Sequence, residues 1–228
     1  EQATREANAA ARALFDSGAE QVVVWDNHGD GANLIFEQLD QRCEVLLGTG
    51  FSRRFPELNE TYAGVLMLGY HAMAGTANAV LAHTYSSSAH RAIRVNGQDV
   101  GEIALDAAVA GELGVPVIFV SSDDEGCDEA LHYLPWVETV ATKRGFGSNC
   151  AYSKHPAAAE TEITAAVCRA VKKISEKKPF IFEHPVQIEI QFEQVSQLLK
   201  ARIRRRGWSV VGMKTLNASM DNMLVWKC

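Results

Sequence analysis

The sequence predicts an α/β fold: a central, mostly parallel sheet flanked by helices, with a smaller C-terminal α+β portion. Three observations carry that expectation. Short apolar runs at residues 21–25, 64–68 and 115–120 have the character of strands buried on both faces, and the first two run straight into polar loops. Between such runs lie segments whose apolar residues recur at three- and four-residue spacing, the signature of helices. After Pro179 the texture changes, and Val186 to Phe192 alternates strictly between apolar and polar residues, as a strand with one wet face does.

The elements follow in order. Ala7, Ala10, Ala11 and Leu14 define a helix over residues 4–16, closed by Ser17 and Gly18. Strands are expected at 21–25, 43–47 and 64–68, and Asn96–Gly97 carries a tight hairpin signal. An amphipathic helix spans 102–113 and stops at Gly114, followed by a strand at 115–120, a helix at 123–132 and a strand at 137–141. After a glycine-containing loop the longest helix covers 157–173. The lysine-rich stretch 172–179 reads as a boundary, dividing the chain into an α/β metal-binding domain, 1–178, and a small α+β portion, 179–228. That portion holds the alternating strand, a helix at 194–205 and a returning strand at 208–213.

Composition narrows the function classes. With 228 residues, 47% of them hydrophobic, the chain is long and apolar enough to bury a sizeable core, which excludes a disordered protein. The net charge of −6 gives no global positive field for a nucleic-acid backbone. The one basic cluster, Arg202, Arg204, Arg205 and Arg206, reads as a solvated helix end or a subunit contact. No run approaches the about 18 consecutive apolar residues of a membrane span, and no signal-peptide pattern opens the chain. Five scattered cysteines, Cys43, Cys127, Cys150, Cys168 and Cys228, fit reduced structural thiols. The expectation is a soluble, cytoplasmic protein with neither membrane nor nucleic acid as partner.

Three of the seven histidines stand where chemistry is expected. His28 follows the strand at 21–25, and His71 follows the strand at 64–68; an open α/β sheet presents its binding residues at the carboxyl ends of its strands. His83 comes twelve residues after His71, and Glu102 opens the helix after the hairpin. Two imidazoles and a carboxylate suit zinc, which acidifies bound water and polarises a carbonyl, while a further imidazole can carry protons. The plainer reading is that the histidines terminate loops and that Glu102 answers the helix dipole. His90, His132, His155 and His184 read as structural or solvated, and Asp123 and Asp124 as helix capping or supporting acids. No G-x-S-x-G, H-E-x-x-H or Walker loop is present, and Gly145-Phe146-Gly147 is only a fragment of a glycine-rich loop.

Taken in order, the run from Asp26-Asn27-His28-Gly29 to Asn33-Leu34, then Gly69-Tyr70-His71-Ala72, His83-Thr84, and Val95-Asn96-Gly97 leading to Gly101-Glu102 resemble the zinc-dependent D-aminopeptidase family of bacteria and archaea. Val115-Pro116-Val117 to Asp123-Asp124 and Thr142-Lys143 to Ser153 and Pro156 match in the same order, so the resemblance covers at least residues 7–156. It implies a zinc aminopeptidase that removes an N-terminal D-amino acid from short peptides. It also implies two zinc ions per subunit and a homo-oligomeric ring, a decamer, with sites facing an inner chamber. Carried over residue by residue, His28, His71 and Glu102 would be zinc ligands and His83 the catalytic histidine. Family members begin with a strand bearing Asp-x-Glu-Gly, whose carboxylates complete the two-zinc cluster, whereas this sequence opens at Glu1 beyond that strand. Either an N-terminal segment is omitted or the chain is an impaired member. A structural homologue without catalysis, and a metal-dependent hydrolase of another amide or ester on the same scaffold, stay open as alternatives.

Overall fold

The computed structural model describes residues 1–205 and 207–226; Arg206 of the basic cluster and Cys228 lie outside the described residues. Among the described residues five α-helices and three sheets make a mixed α/β fold. Its parallel core is formed by β3 (Val65–Met67), β6 (Val117–Asp123) and β7 (Glu138–Gly145), with β8 (Ala151–Ser153) antiparallel on the far edge of β7. All seven residues of β6 are buried, as expected of a strand covered on both faces. A second, two-stranded parallel sheet pairs β1 (Val23–Trp25) with β2 (Glu44–Leu46).

One face of the parallel core is covered by α1 (Gln2–Asp16) and α4 (Pro156–Lys172), through Ala10, Ala13, Ile163, Ala166, Val167 and Ala170 packed on Ile118 and Phe119. On the other face lie α2 (Glu102–Glu112) and α3 (Asp124–Tyr133), through Ile103, Ala107, Ala110 and Ala130 against Val65, Met67, Val117 and Val120.

The third sheet is antiparallel, with strand order β10 (Ser209–Gly212), β11 (Thr215–Met220), β9 (Val186–Phe192), β4 (His90–Val95), β5 (Gln98–Asp99). The alternation read in the sequence of β9 buries Val186, Ile188, Ile190 and Phe192. The Asn96–Gly97 turn joins β4 to β5 with φ of 51° and 84°, the left-handed pair that a two-residue hairpin of this kind requires. Because β9 pairs with β4 on one side and β11 on the other, the segment after residue 179 completes a sheet begun by residues 90–99. Beyond β9, α5 (Val195–Arg204) packs through the buried Leu198.

Helix α2 differs from its expected amphipathic character. Nine of its eleven residues are buried. Ala104, Leu105, Ala108 and Val109 face the antiparallel sheet while Ile103, Ala107 and Ala110 face the parallel one, so the helix is apolar on both sides because it is packed between two sheets. Its first residue, Glu102, therefore opens out of the middle of the molecule. Two further strands escaped the sequence pattern. β8 is three exposed residues, and the single returning strand expected at 208–213 is the first arm of a hairpin whose second arm is β11.

Candidate metal centre

The loop from Leu68 to Ala89 carries two of the histidines and has no regular structure. Hydrogen bonds to the end of β6 hold it in place. Gly69 N–H donates to Ser121 Oγ at 3.0 Å, Tyr70 N–H to Ser121 O at 3.1 Å, and Ser122 Oγ to Tyr70 O at 2.7 Å. Further on, Val80 N–H donates to Asp123 Oδ2 at 2.6 Å, while Asp123 Oδ1 accepts Gly126 N–H at 2.8 Å and caps α3. One carboxylate thus does both jobs considered for it, capping a helix and supporting the loop. Leu81 N–H to Ser148 O at 3.0 Å and Gly147 N–H to Asn78 O at 3.0 Å tie the same loop to the turn between β7 and β8.

Folded back this way, the loop stacks His83 on His71, with ring centroids 3.8 Å apart and planes 20° from parallel. Both rings turn an Nε2 toward Glu102 Oε1, His71 at 3.3 Å and His83 at 3.9 Å. One donor atom from each of His71, His83 and Glu102 lies within 4.8 Å of the others. Glu102 is itself held by the backbone of this loop, accepting Tyr85 N–H at 2.7 Å.

The hydrogen bonds on the far side of each ring define the chemistry. His71 Nδ1 faces Ala72 O at 3.2 Å and His83 Nδ1 faces Leu81 O at 2.6 Å. A carbonyl calls for an N–H, so the neutral tautomer of each ring carries its proton on Nδ1 and aims the Nε2 lone pair at Glu102. Two lone pairs and a carboxylate facing one another need a cation or a proton between them. Burial opposes the charged form of His71, but the hydrogen bond and negative charge of Glu102 outweigh it and raise its pKa. For Glu102 burial acts the other way, and His71 and Tyr85 N–H outweigh it and lower the pKa. His71 Nε2 and Glu102 Oε1 are donors of the kind that hold a zinc ion, and His83 Nε2 stands beside them, close enough to exchange a proton with a water on such an ion.

His28 is not part of this cluster. It sits exposed on the loop after β1, its Nδ1 3.3 Å from Asn33 Oδ1. Its neighbours still link it to the site, since Asn27 Nδ2 donates to Tyr70 Oη at 3.3 Å, joining the residue before His28 to the residue before His71. Asp26 accepts the N–H groups of Asn33 and Leu34 at 2.5 and 2.8 Å; burial opposes its ionisation, but these donors prevail and hold its carboxyl below the usual range. An open crevice of about 190 Å³ runs beside this loop, lined in part by Asn27, Gly31, Gly50, Phe51 and Arg54.

Two groups that sequence reasoning passed over support the centre. Asp106, one turn after Glu102 on α2, is fully buried and receives Arg54 in a two-pronged ion pair at 2.9 and 2.7 Å, Tyr70 Oη at 2.7 Å and Tyr85 Oη at 2.9 Å. Glu129 on α3 is 8% exposed, and burial pushes its carboxyl up to about 7. The sequence signal for Glu129 was there to read: it shares the buried face of its helix with Gly126, Cys127 and Ala130, where a carboxylate is out of place. The other histidines take structural parts: His90 against Thr84 O, His155 capping α4, and His184 on Glu112.

The class is a peptidase one: the chain belongs to the D-aminopeptidase family, whose sequence profile matches residues 1–225. It is 31% identical over 222 residues to the D-aminopeptidase of Bacillus subtilis (strain 168), covering 97% of this chain and 80% of that one. Among solved structures it is similar to the Zn-dependent D-aminopeptidase DppA from Bacillus subtilis, described as a self-compartmentalizing protease. The TM-score is 0.91 at 30% identity, and the match covers 97% of this chain and 80% of that chain. Among the described residues no helix is long and apolar enough to cross a membrane.

Proposed function

We propose that this protein is a zinc-dependent aminopeptidase acting on short peptides with an N-terminal D-amino acid. The observation that carries the reading is the convergence of His71 Nε2, His83 Nε2 and Glu102 Oε1, on a fold shared with a zinc-dependent relative. In this reading His71 and Glu102 hold zinc, His28 is the further ligand from the adjoining loop, and His83 is the catalytic histidine. Zinc bound there supplies Lewis acidity, bringing a water toward ionisation at neutral pH and polarising the scissile carbonyl. His83 does the proton work: its Nδ1–H is fixed on Leu81 O, so its Nε2 is the nitrogen free to take a proton and return it to the leaving amine. Tyr85 N–H keeps Glu102 oriented. The crevice beside the His28 loop is where the peptide would lie. A second zinc per subunit needs carboxylates besides Glu102, which the family carries on its Asp-x-Glu-Gly strand. Among the described residues Cys43, Cys127, Cys150 and Cys168 are free thiols, which accords with action in the cytoplasm.

The test is bound metal and hydrolysis measured together. The purified protein is expected to hold zinc and to release D-alanine from D-alanyl dipeptides faster than L-alanine from the L-isomers. A folded protein that binds no zinc and cleaves neither would overturn the reading.

The relative's self-compartmentalizing character supports a homo-oligomer for this chain, and the family resemblance leads us to propose a ring, a decamer. Helix α5 presents Val195, Leu199 and Ile203 to solvent at four-residue spacing, 46%, 57% and 82% exposed, a stripe that we propose a second copy covers. Leu199→Asp combined with Ile203→Asp is expected to reduce the mass read by light scattering while each subunit stays folded. An unchanged mass would remove α5 from the interface.

A further inference from the structure

We propose that Glu129 is a positioning residue for the metal centre, setting the spacing of His71 and Glu102 by bracing the two backbone segments that carry them. The inference rests on the reading that those two side chains hold zinc, and its observations are independent of that reading. Glu129 reaches from α3 into the seam between the His71 loop and the start of α2. Its Oε2 accepts Met73 N–H at 2.7 Å, two residues beyond His71. Its Oε1 is buried with no hydrogen-bond partner among the described residues. That oxygen lies against Gly101, the residue before Glu102: a Cβ built on Gly101 would stand 2.1 Å from Oε1 and 2.9 Å from Met73 Cβ.

Gly101 has φ −99° and ψ −177°, extended backbone that any residue adopts, so the turn itself does not call for glycine. What calls for it is room. The carboxyl group fills the space where a side chain on Gly101 would go, and in doing so makes contact with both ligand-bearing segments at once. An unpartnered buried carboxyl oxygen costs stability, and a side chain serving only the core would be better apolar. Bracing of this kind from outside the ligand set sets metal affinity as well as fold.

The experiment is zinc affinity, measured by competition with a chromogenic chelator on metal-free variants, with their thermal unfolding followed in parallel. Glu129→Ala is expected to weaken zinc by roughly 10- to 100-fold at temperatures where the protein is folded. Glu129→Gln, which keeps the shape and an oxygen for Met73 N–H, is expected to stay within about threefold of the parent, a small part of that range. Gly101→Ala forces the carboxyl aside and is expected to weaken zinc by about tenfold or more. Adding Glu129→Ala to Gly101→Ala removes the closer clash and leaves the one with Met73 Cβ, so the loss in the double variant should be smaller than the sum of the two single losses. If Glu129→Ala does not fold, Gly101→Ala and Glu129→Gln decide the matter. Parental affinity in folded Glu129→Ala or in Gly101→Ala would overturn the proposal while leaving the zinc reading intact. A parent protein that binds no zinc would overturn both.

Discussion

Glu102→Gln is expected to abolish tight zinc binding while leaving the fold in place. The amide keeps an oxygen for Tyr85 N–H, so the loop remains anchored, but the charge that draws a cation to His71 Nε2 is gone. Outer partners of metal ligands alone are worth about 10- to 100-fold in affinity, so loss of a ligand's charge should exceed roughly 100-fold, and peptide hydrolysis should fall with it. His71→Ala is expected to behave the same way. His83→Ala separates the roles: it should retain zinc and lose roughly 10²- to 10⁴-fold in turnover, as removal of a proton carrier does. If His83→Ala loses the metal as well, His83 is a ligand and the proton carrier lies elsewhere. The pH dependence has a definite sign. His71 must give up its proton to bind metal, and Glu102 raises its pKa, so zinc affinity should fall as pH drops through a range beginning above the ordinary histidine value. Chelator competition between about pH 6 and pH 8.5 reads this directly, and an affinity flat across that window would exclude His71 as a ligand.

Asp106→Ala should be the most destabilising single change beneath the site. It leaves the Arg54 guanidinium without its counter-charge and deprives Tyr70 and Tyr85 of their acceptor, at a fully buried position. Removing one partner of a buried ion pair costs about 3–5 kcal/mol, against a typical total of about 5–15 kcal/mol for a domain. Urea unfolding is the measurement. Replacing both partners with apolar residues, Asp106→Leu with Arg54→Met, should recover much of the loss, because no uncompensated charge then remains. A cost below about 1 kcal/mol for Asp106→Ala would show that the pair contributes no more than one on the surface. Zinc affinity should decline too, since Tyr70 adjoins His71 and Tyr85 N–H orients Glu102.

Much of this architecture was legible because it is local. Alternation in Val186–Phe192, the Asn96–Gly97 turn, and apolar runs ending in His28 and His71 each depend on a few neighbouring residues, and each element formed where expected. What the sequence hid is long-range. Asp106 looks like the solvent face of an amphipathic helix until Arg54, 52 residues earlier in an aperiodic loop, is found beside it. The stacking of His83 on His71 depends on hydrogen bonds from β6 and from the turn after β7, neither of which leaves a mark in the spacing of the two histidines. His28, as prominent in the sequence as His71, stands apart from the cluster on the loop that follows β1 of the two-stranded sheet. β11 was missed because Thr-Leu-Asn-Ala-Ser-Met carries little apolar alternation; it is a strand because it lies against β9.

The place of β9 bears on how the enzyme comes into being as it leaves the ribosome. Strand β4 has no inner neighbour until residues 186–192 have been made, about one hundred residues later, and contacts so distant in sequence form slowly. Until then the hairpin that leads into Glu102 has an open edge, and one side of α2 is bare. The sheet behind Glu102 is therefore a late event in the life of the chain: His28, His71 and His83 are made early, and the helix that Glu102 opens gains its second covering face only when the last strands are in place.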